Sequence, residues 1–129
     1  MIDGTLILTG GAGMKAFAEA FAEEFDLPHA TESIEFAGRT DRGLACQVFR
    51  ANQIEPNQAN FERFTEAYTQ RLAKHMPTDN TQPLPGVVEL LDAIETMTIP
   101  PVLGLLTGNL PLGAELKLTH YHLWHRFEF

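Results

Sequence analysis

Two short polar segments contain the residues best suited to chemistry. Asp-Gly-Thr stands at residues 3–5, and Thr-Gly-Asn stands at residues 107–109, directly after the apolar run at residues 102–106. The carboxylate of Asp3 can donate and accept protons, whereas a threonine hydroxyl, an asparagine amide and backbone N–H groups can hold the oxygens of an anion. Taken singly, each segment is also typical of an ordinary turn or helix cap.

These segments and their order resemble those of a known superfamily. Residues 2–6 (Ile-Asp-Gly-Thr-Leu) resemble the Asp-x-Asp-Gly-Thr signature of the haloacid dehalogenase (HAD) superfamily, and residues 105–109 (Leu-Leu-Thr-Gly-Asn) resemble its second motif. Residues 84–91 are similar to the segment that leads back from the cap to the core. The resemblance is to the branch that contains phosphoglycolate phosphatases and beta-phosphoglucomutases.

The resemblance implies hydrolysis of a small phosphomonoester through an aspartyl-phosphate, with a small phosphorylated metabolite as the partner. Asp3 falls on the position of the general acid/base, and Thr107, Gly108 and Asn109 fall on the positions that bind the phosphoryl oxygens. The implied cofactor is Mg²⁺, for which the backbone carbonyl of Asp3 is the one ligand expected to remain.

A polar loop before the second predicted helix is the candidate for substrate recognition. Arg39, Thr40 and Arg42 match the loop that descends on the substrate in relatives. Arginine pairs well with a carboxylate or a phosphate. A solvated surface loop explains the same residues equally well.

Two features depart from the superfamily pattern. Met1 stands two residues before Asp3, on the position of the nucleophilic aspartate, and a thioether cannot form an acyl phosphate. The superfamily's lysine and its acidic metal motif are expected beyond Phe129. The chain therefore resembles a phosphatase truncated at both ends and is expected to be inactive by itself. The alternative is a non-catalytic binding or self-assembly module derived from such a phosphatase.

Hydrophobic periodicity predicts the elements that position these residues. Helical spacing predicts helices from residue 14 to before Pro28, and over residues 41–51, 56–74, 87–97 and 113–123. Apolar runs at residues 6–8, 102–106 and 127–129 predict two to three parallel strands. We therefore expect an α/β fold: a HAD-like Rossmannoid core with an incomplete parallel sheet at residues 1–13 and 81–129, and an inserted helical cap at residues 14–80.

Composition narrows the possible partners and location. The formal net charge of -8, with nine scattered basic residues, disfavours nucleic acid. Every apolar run is far shorter than the roughly 20 residues of a membrane helix. The single cysteine, Cys46, cannot form an internal disulfide. We expect a cytoplasmic protein without a membrane partner. The open edge of an incomplete sheet predicts a homo-oligomer or a domain-swapped dimer.

Overall fold

The computed structural model describes residues 1–77 and 82–129. Its helices are α1 (Ala12–Glu24), α2 (Asp41–Ala51), α3 (Gln58–His75), α4 (Val87–Glu95) and α5 (Pro111–His120), followed by a 3-10 turn at Trp124–Arg126. The five helices predicted from periodicity are confirmed, with ends shifted by a few residues. The predicted linker at residues 75–86 lies partly outside the described residues. Among the helices described, none has the length and apolar character needed to cross a membrane.

Local capping explains where the helices around the polar segments begin. The Thr40 hydroxyl accepts a hydrogen bond from the N–H of Gly43 at 3.1 Å, which caps α2. The side-chain oxygen of Asn57 caps α3 by accepting from the N–H of Asn60 at 2.9 Å. Pro111 occupies the first turn of α5, where its missing N–H has no intrahelical partner to lose. These local features explain why α2, α3 and α5 begin at Asp41, Gln58 and Pro111.

The core between α1, α2 and α3 is largely aromatic. Phe17, Phe21, Phe49, Phe64 and Tyr68 are at most 2% exposed. The rings of Phe21 and Phe64 stack with centroids 4.8 Å apart, and Phe17 meets Phe64 edge-on at the same distance. Burying each phenylalanine contributes about 1.5–3 kcal/mol. This cluster fixes α3, and with it Tyr68, against α1.

The predicted parallel sheet is absent from residues 1–77 and 82–129, where every regular element is helical, so the expected α/β fold class with a Rossmannoid core is wrong. At the first predicted strand the backbone closes a turn instead. Gly4 adopts φ +75°, and the carbonyl of Ile2 accepts a hydrogen bond from the N–H of Leu6 at 2.9 Å. The backbone N–H groups that bond within this turn cannot pair with a neighbouring strand. The bridge formed here is an isolated one between Asp3 and Ile7.

The second predicted strand and the chain's last residues make only sparse backbone contacts. The N–H of Leu105 donates to the carbonyl of Phe129 at 2.7 Å, and the N–H of Glu128 donates to the carbonyl of Leu103 at 2.8 Å. A buried parallel strand needs cover on both faces, whereas Leu106 is 89% exposed. Without that cover the two bonds do not extend into a ladder. The predicted oligomer, which would cover such side chains, stays a prediction, as does the division into core and cap.

Candidate functional site

The two polar segments singled out in the sequence meet in the structure. The side-chain amide of Asn109 donates to Oδ2 of Asp3 at 3.3 Å, across a sequence separation of 106 residues. Nζ of Lys117 donates to the same oxygen of Asp3 at 2.8 Å and to Oδ1 of Asn109 at 2.6 Å. Asp3, predicted as the acid/base, and Asn109, predicted to bind phosphate, therefore share one cation.

Lys117 is the residue of this cluster that the sequence motifs did not indicate. Its side chain is 4% exposed, whereas that of Asp3 is 43% exposed. Helix α5 carries Lys117 on the face that also buries Ala114 and Leu118. A buried ammonium is tolerated when anionic and polar partners surround it. The available signal was a lysine on the buried stripe of a predicted helix, but the resemblance placed the lysine beyond residue 129.

Thr107 orients Asn109 in the structure. The Thr107 hydroxyl oxygen accepts from the backbone N–H of Asn109 at 3.1 Å and from its side-chain amide at 2.9 Å. The amide therefore bridges Thr107 and Asp3. On the other side of Asp3, the Thr9 hydroxyl lies 3.5 Å from Oδ1, at the outer limit of a hydrogen bond. The predicted phosphate-binding roles of Thr107, Gly108 and Asn109 stay predictions.

The loop at residues 38–42 docks directly on the loop at residues 107–110. A Cβ added at Gly108 would lie 3.0 Å from the carbonyl oxygen of Arg39 and 3.1 Å from Cα of Thr40. The backbone N–H of Asp41 donates to the carbonyl of Gly108 at 2.8 Å, and Oδ2 of Asp41 accepts from the N–H of Leu110 at 2.9 Å. The absence of a side chain at Gly108 permits this close approach, and the Asp41 carboxyl holds Leu110, the residue directly before α5.

The arginines of the same loop point elsewhere. Nη2 of Arg39 donates to the side-chain oxygen of Gln47 at 2.7 Å. The Arg42 guanidinium lies 4.3 Å from the centre of the Phe61 ring and lines an outer groove of about 600 Å³, whose lining includes neither Asp3 nor Lys117. The structure does not bring Arg39 or Arg42 into contact with Asp3. Their predicted role in substrate binding, like that of Thr40, stays a prediction.

Tyr68 reaches the site from α3. It is 1% exposed, and a Cβ added at Gly13 would lie 3.3 Å from Nζ of Lys117 and 3.8 Å from the Tyr68 hydroxyl oxygen. The hydrogen bonds formed within the described part of the chain include none from this hydroxyl. Burial, and then the negative charges of Asp41 and Asp3, raise the pKa of Tyr68, so the hydroxyl stays protonated and can donate.

The pKa of Asp41 is affected by burial and by the charges of Lys117 and Asp3. Burial is the largest influence and raises the pKa of Asp41 above its ordinary value of 3.8. The hydrogen bond from Leu110 and the positive charge of Lys117 act against that rise, whereas the charge of Asp3 adds to it. A carboxyl whose charged form is disfavoured in this way is a common feature of functional sites.

The described residues do not fit a Mg²⁺ site. No group of three or more His, Cys, Asp or Glu side chains close enough to hold a metal occurs among them. Mg²⁺ requires near-octahedral oxygen ligands, and the Asp3 carboxylate already bonds to Lys117 and Asn109. The backbone carbonyl of Asp3 stays the predicted metal ligand.

Comparison with known families agrees with the meeting of these segments. The family model described as haloacid dehalogenase-like hydrolase matches residues 2–129. No curated protein sequence matches the chain. The family match covers both polar segments, the loop at residues 38–42 and the helix that carries Lys117. It supports neither the phosphoglycolate phosphatase branch nor any particular substrate. The chain belongs to the haloacid dehalogenase-like hydrolases.

Proposed function

We propose that the chain provides the acid/base and phosphate-binding groups of a phosphatase that hydrolyses a small phosphomonoester through an aspartyl-phosphate. The observation that carries this proposal is the contact of Asp3 and Asn109 with the buried ammonium of Lys117. Membership of a hydrolase family supports the reaction class. A carboxylate, an amide and an ammonium that converge on one point can supply the proton transfer and the charge stabilisation of phosphoryl transfer.

Each of these groups has a role in the proposed reaction. Asp3 protonates the leaving oxygen and then removes a proton from the attacking water. Two of the three N–H groups of Lys117 bond to Asp3 and Asn109, which leaves the third for a phosphoryl oxygen. The ammonium offsets negative charge on that oxygen in a buried setting, where charge interactions are stronger than in water. Thr107 holds the Asn109 amide in position.

Asp3, Asn109 and Lys117 do not supply the nucleophile or the metal ion of the proposed reaction. Met1 occupies the position of the nucleophile, and its thioether cannot attack phosphorus to give an acyl phosphate. Members of the family generally use Mg²⁺, but no step is assigned to the ion because the described residues do not fit it. The chemistry derived from the site is therefore proton transfer and charge neutralisation.

Binding of inorganic phosphate tests the proposal. Titration calorimetry should detect phosphate binding to the chain, and Lys117→Met should weaken it roughly 10- to 100-fold, because a charge-assisted hydrogen bond contributes about 1.5–3 kcal/mol. The same substitution at Lys74, exposed on α3, is the matched control and should leave binding unchanged. Absence of phosphate binding, or equal losses in the two variants, would rule the proposal out.

Met1 favours a second candidate, a non-catalytic module that binds phosphate without turning it over. A variant with aspartate at position 1 distinguishes the two candidates. This variant is Met1→Asp, expressed with an additional methionine before it to start translation. Hydrolysis of p-nitrophenyl phosphate with Mg²⁺ that disappears on Asp3→Asn supports the phosphatase. Phosphate binding without any such hydrolysis supports the binding module.

A further inference from the structure

We propose that two copies of the chain associate by packing the same apolar face against each other. This face comprises Val102, Leu106, Phe129 and Met1 and is named the 102–106 face. The inference concerns assembly and is independent of the proposed phosphatase function. It assigns a definite surface to the homo-oligomer expected from the sequence.

Residues 102–106 are exposed at alternate positions. Val102 and Leu106 are 69% and 89% exposed, whereas Leu103 and Leu105 are half-buried and pack against the hydrophobic core. This alternation has the period of a β-strand, so one side of the segment faces the core and the other faces outward. The outward side carries an apolar side chain at each end, with Gly104 between them.

Phe129 and Met1 extend this surface. A Cβ added at Gly104 would collide with the ring of Phe129, so that ring lies over the glycine, and the residue is 79% exposed. The ammonium of Met1 donates to the carbonyl of Leu106 at 2.5 Å, and Met1 is 71% exposed. Contacts in space therefore join the four residues into one continuous face.

The area of this face approaches what a stable dimer needs. If a large apolar side chain offers about 200 Å², the four side chains expose on the order of 600 Å². The largest apolar patch of a monomer is usually about 300–600 Å², and each partner in a standard interface contributes about 800 Å². Ile99 is 85% exposed and lies within about 10 Å of Val102 along the chain, so it can supply much of the difference.

The distribution of charge favours a second copy that approaches through this face. The chain has a formal net charge of -8, so two copies repel each other where their charged surfaces meet. No charged side chain occurs in the sequence from Thr96 to Ala114, and the terminal groups of Met1 and Phe129 have opposite signs. The 102–106 face therefore offers the approach with the least repulsion, and twofold symmetry allows it to be its own partner. A basic partner would instead be attracted to the acidic surfaces elsewhere.

Sedimentation velocity from about 1 µM to about 1 mM tests the inference. The unmodified chain should pass from monomer to dimer as its concentration rises. Val102→Glu and Leu106→Glu should each weaken dimerisation at least about 100-fold, because symmetry places two new carboxylates in one apolar interface. Leu112→Glu is the matched control and should leave dimerisation unchanged. Leu112 is also exposed, but it lines the outer groove, whose lining includes none of the four residues of the face.

Three results would overturn the inference. The first is a monomer at every concentration. The second is dissociation of the dimer by Leu112→Glu but not by Leu106→Glu, which would assign the dimer to the outer groove. The third is a monomer that sediments with vesicles of zwitterionic phosphatidylcholine, which would make a lipid surface the partner of the face.

Two controls keep the test decisive. Circular dichroism checks that the helices persist in each variant. If a glutamate variant fails to fold, the concentration dependence of the unmodified chain and the milder change Leu106→Ser, which should weaken dimerisation roughly tenfold, still decide the question. Phosphate binding enters none of these outcomes, so the proposed function and this inference can fail separately.

Discussion

Removing Asp3 should destabilise the fold more than removing Lys117, because the two partners of this ion pair differ in exposure. The Lys117 side chain is 4% exposed and that of Asp3 is 43% exposed. In Asp3→Ala, the buried ammonium retains only the side-chain oxygen of Asn109, at 2.6 Å. In Lys117→Met, the remaining carboxylate is still in contact with water, and the methionine fills most of the volume of the lysine stem.

The expected magnitudes follow from this asymmetry. Losing one of two partners of a buried charged group costs about 1–3 kcal/mol, so we expect Asp3→Ala to lower the free energy of unfolding by about 2 kcal/mol. Lys117→Met should cost less than about 1 kcal/mol, because replacing a buried charge with an apolar group of similar volume is often close to neutral. The double variant should be about as stable as Lys117→Met, which corresponds to a coupling energy of about 2 kcal/mol.

Urea denaturation followed by circular dichroism measures the free energy of unfolding of the unmodified chain, the two single variants and the double variant. The four values can be compared if the m values agree. Glu66→Ala, at an exposed position within α3, is the control and should change stability by no more than about 0.5 kcal/mol. Two results would refute the reasoning. One is Lys117→Met being as destabilising as Asp3→Ala. The other is a double variant whose loss equals the sum of the single losses.

Two further predictions concern the loop contact above the site. Gly108→Ala should lower the free energy of unfolding by about 1–3 kcal/mol, because the new methyl would lie 3.0 Å from the Arg39 carbonyl oxygen and 3.1 Å from Cα of Thr40; an unchanged urea midpoint would contradict it. Burial raises the pKa of Asp41 above 3.8, so the folded state binds this proton more tightly than the unfolded state. The contribution of the carboxyl to stability is therefore fully present below about pH 4 and is lost as the pH rises through the raised folded-state pKa. Asp41→Asn should remove that dependence, and a stability difference from the unmodified chain that stays constant from about pH 4 to about pH 7 would count against it.

The helices could be predicted from the sequence because their determinants are local. Thr40 caps α2 directly before Asp41, so its predicted start at residue 41 agrees with the structure. Strands depend on partners distant in sequence, and the apolar run at residues 6–8 outweighed the turn that Asp-Gly-Thr at residues 3–5 also indicated and that Gly4 forms. Apolar composition alone therefore indicated a sheet that the described residues do not form.

The candidate site could be predicted in part. The order of the two motifs correctly suggested that Asp3 and Asn109 lie close together. Lys117, Asp41 and Tyr68 were assigned no role, since each looks ordinary until the neighbouring elements are placed. The direction of a loop side chain is set by tertiary contacts such as that between Asp41 and Leu110, which leave no local pattern in the sequence.

The position of Tyr68 inside the aromatic cluster limits which residues can replace it during evolution. Its ring packs against Phe64 and Phe17, so replacing it with a residue of different size would disturb the core as well as the site. Arg39 and Arg42 are exposed and can be exchanged at little cost to stability. Sequence change is therefore expected sooner at the exposed arginines of the 38–42 loop than at position 68 of α3, where the packing of the aromatic core constrains the side chain.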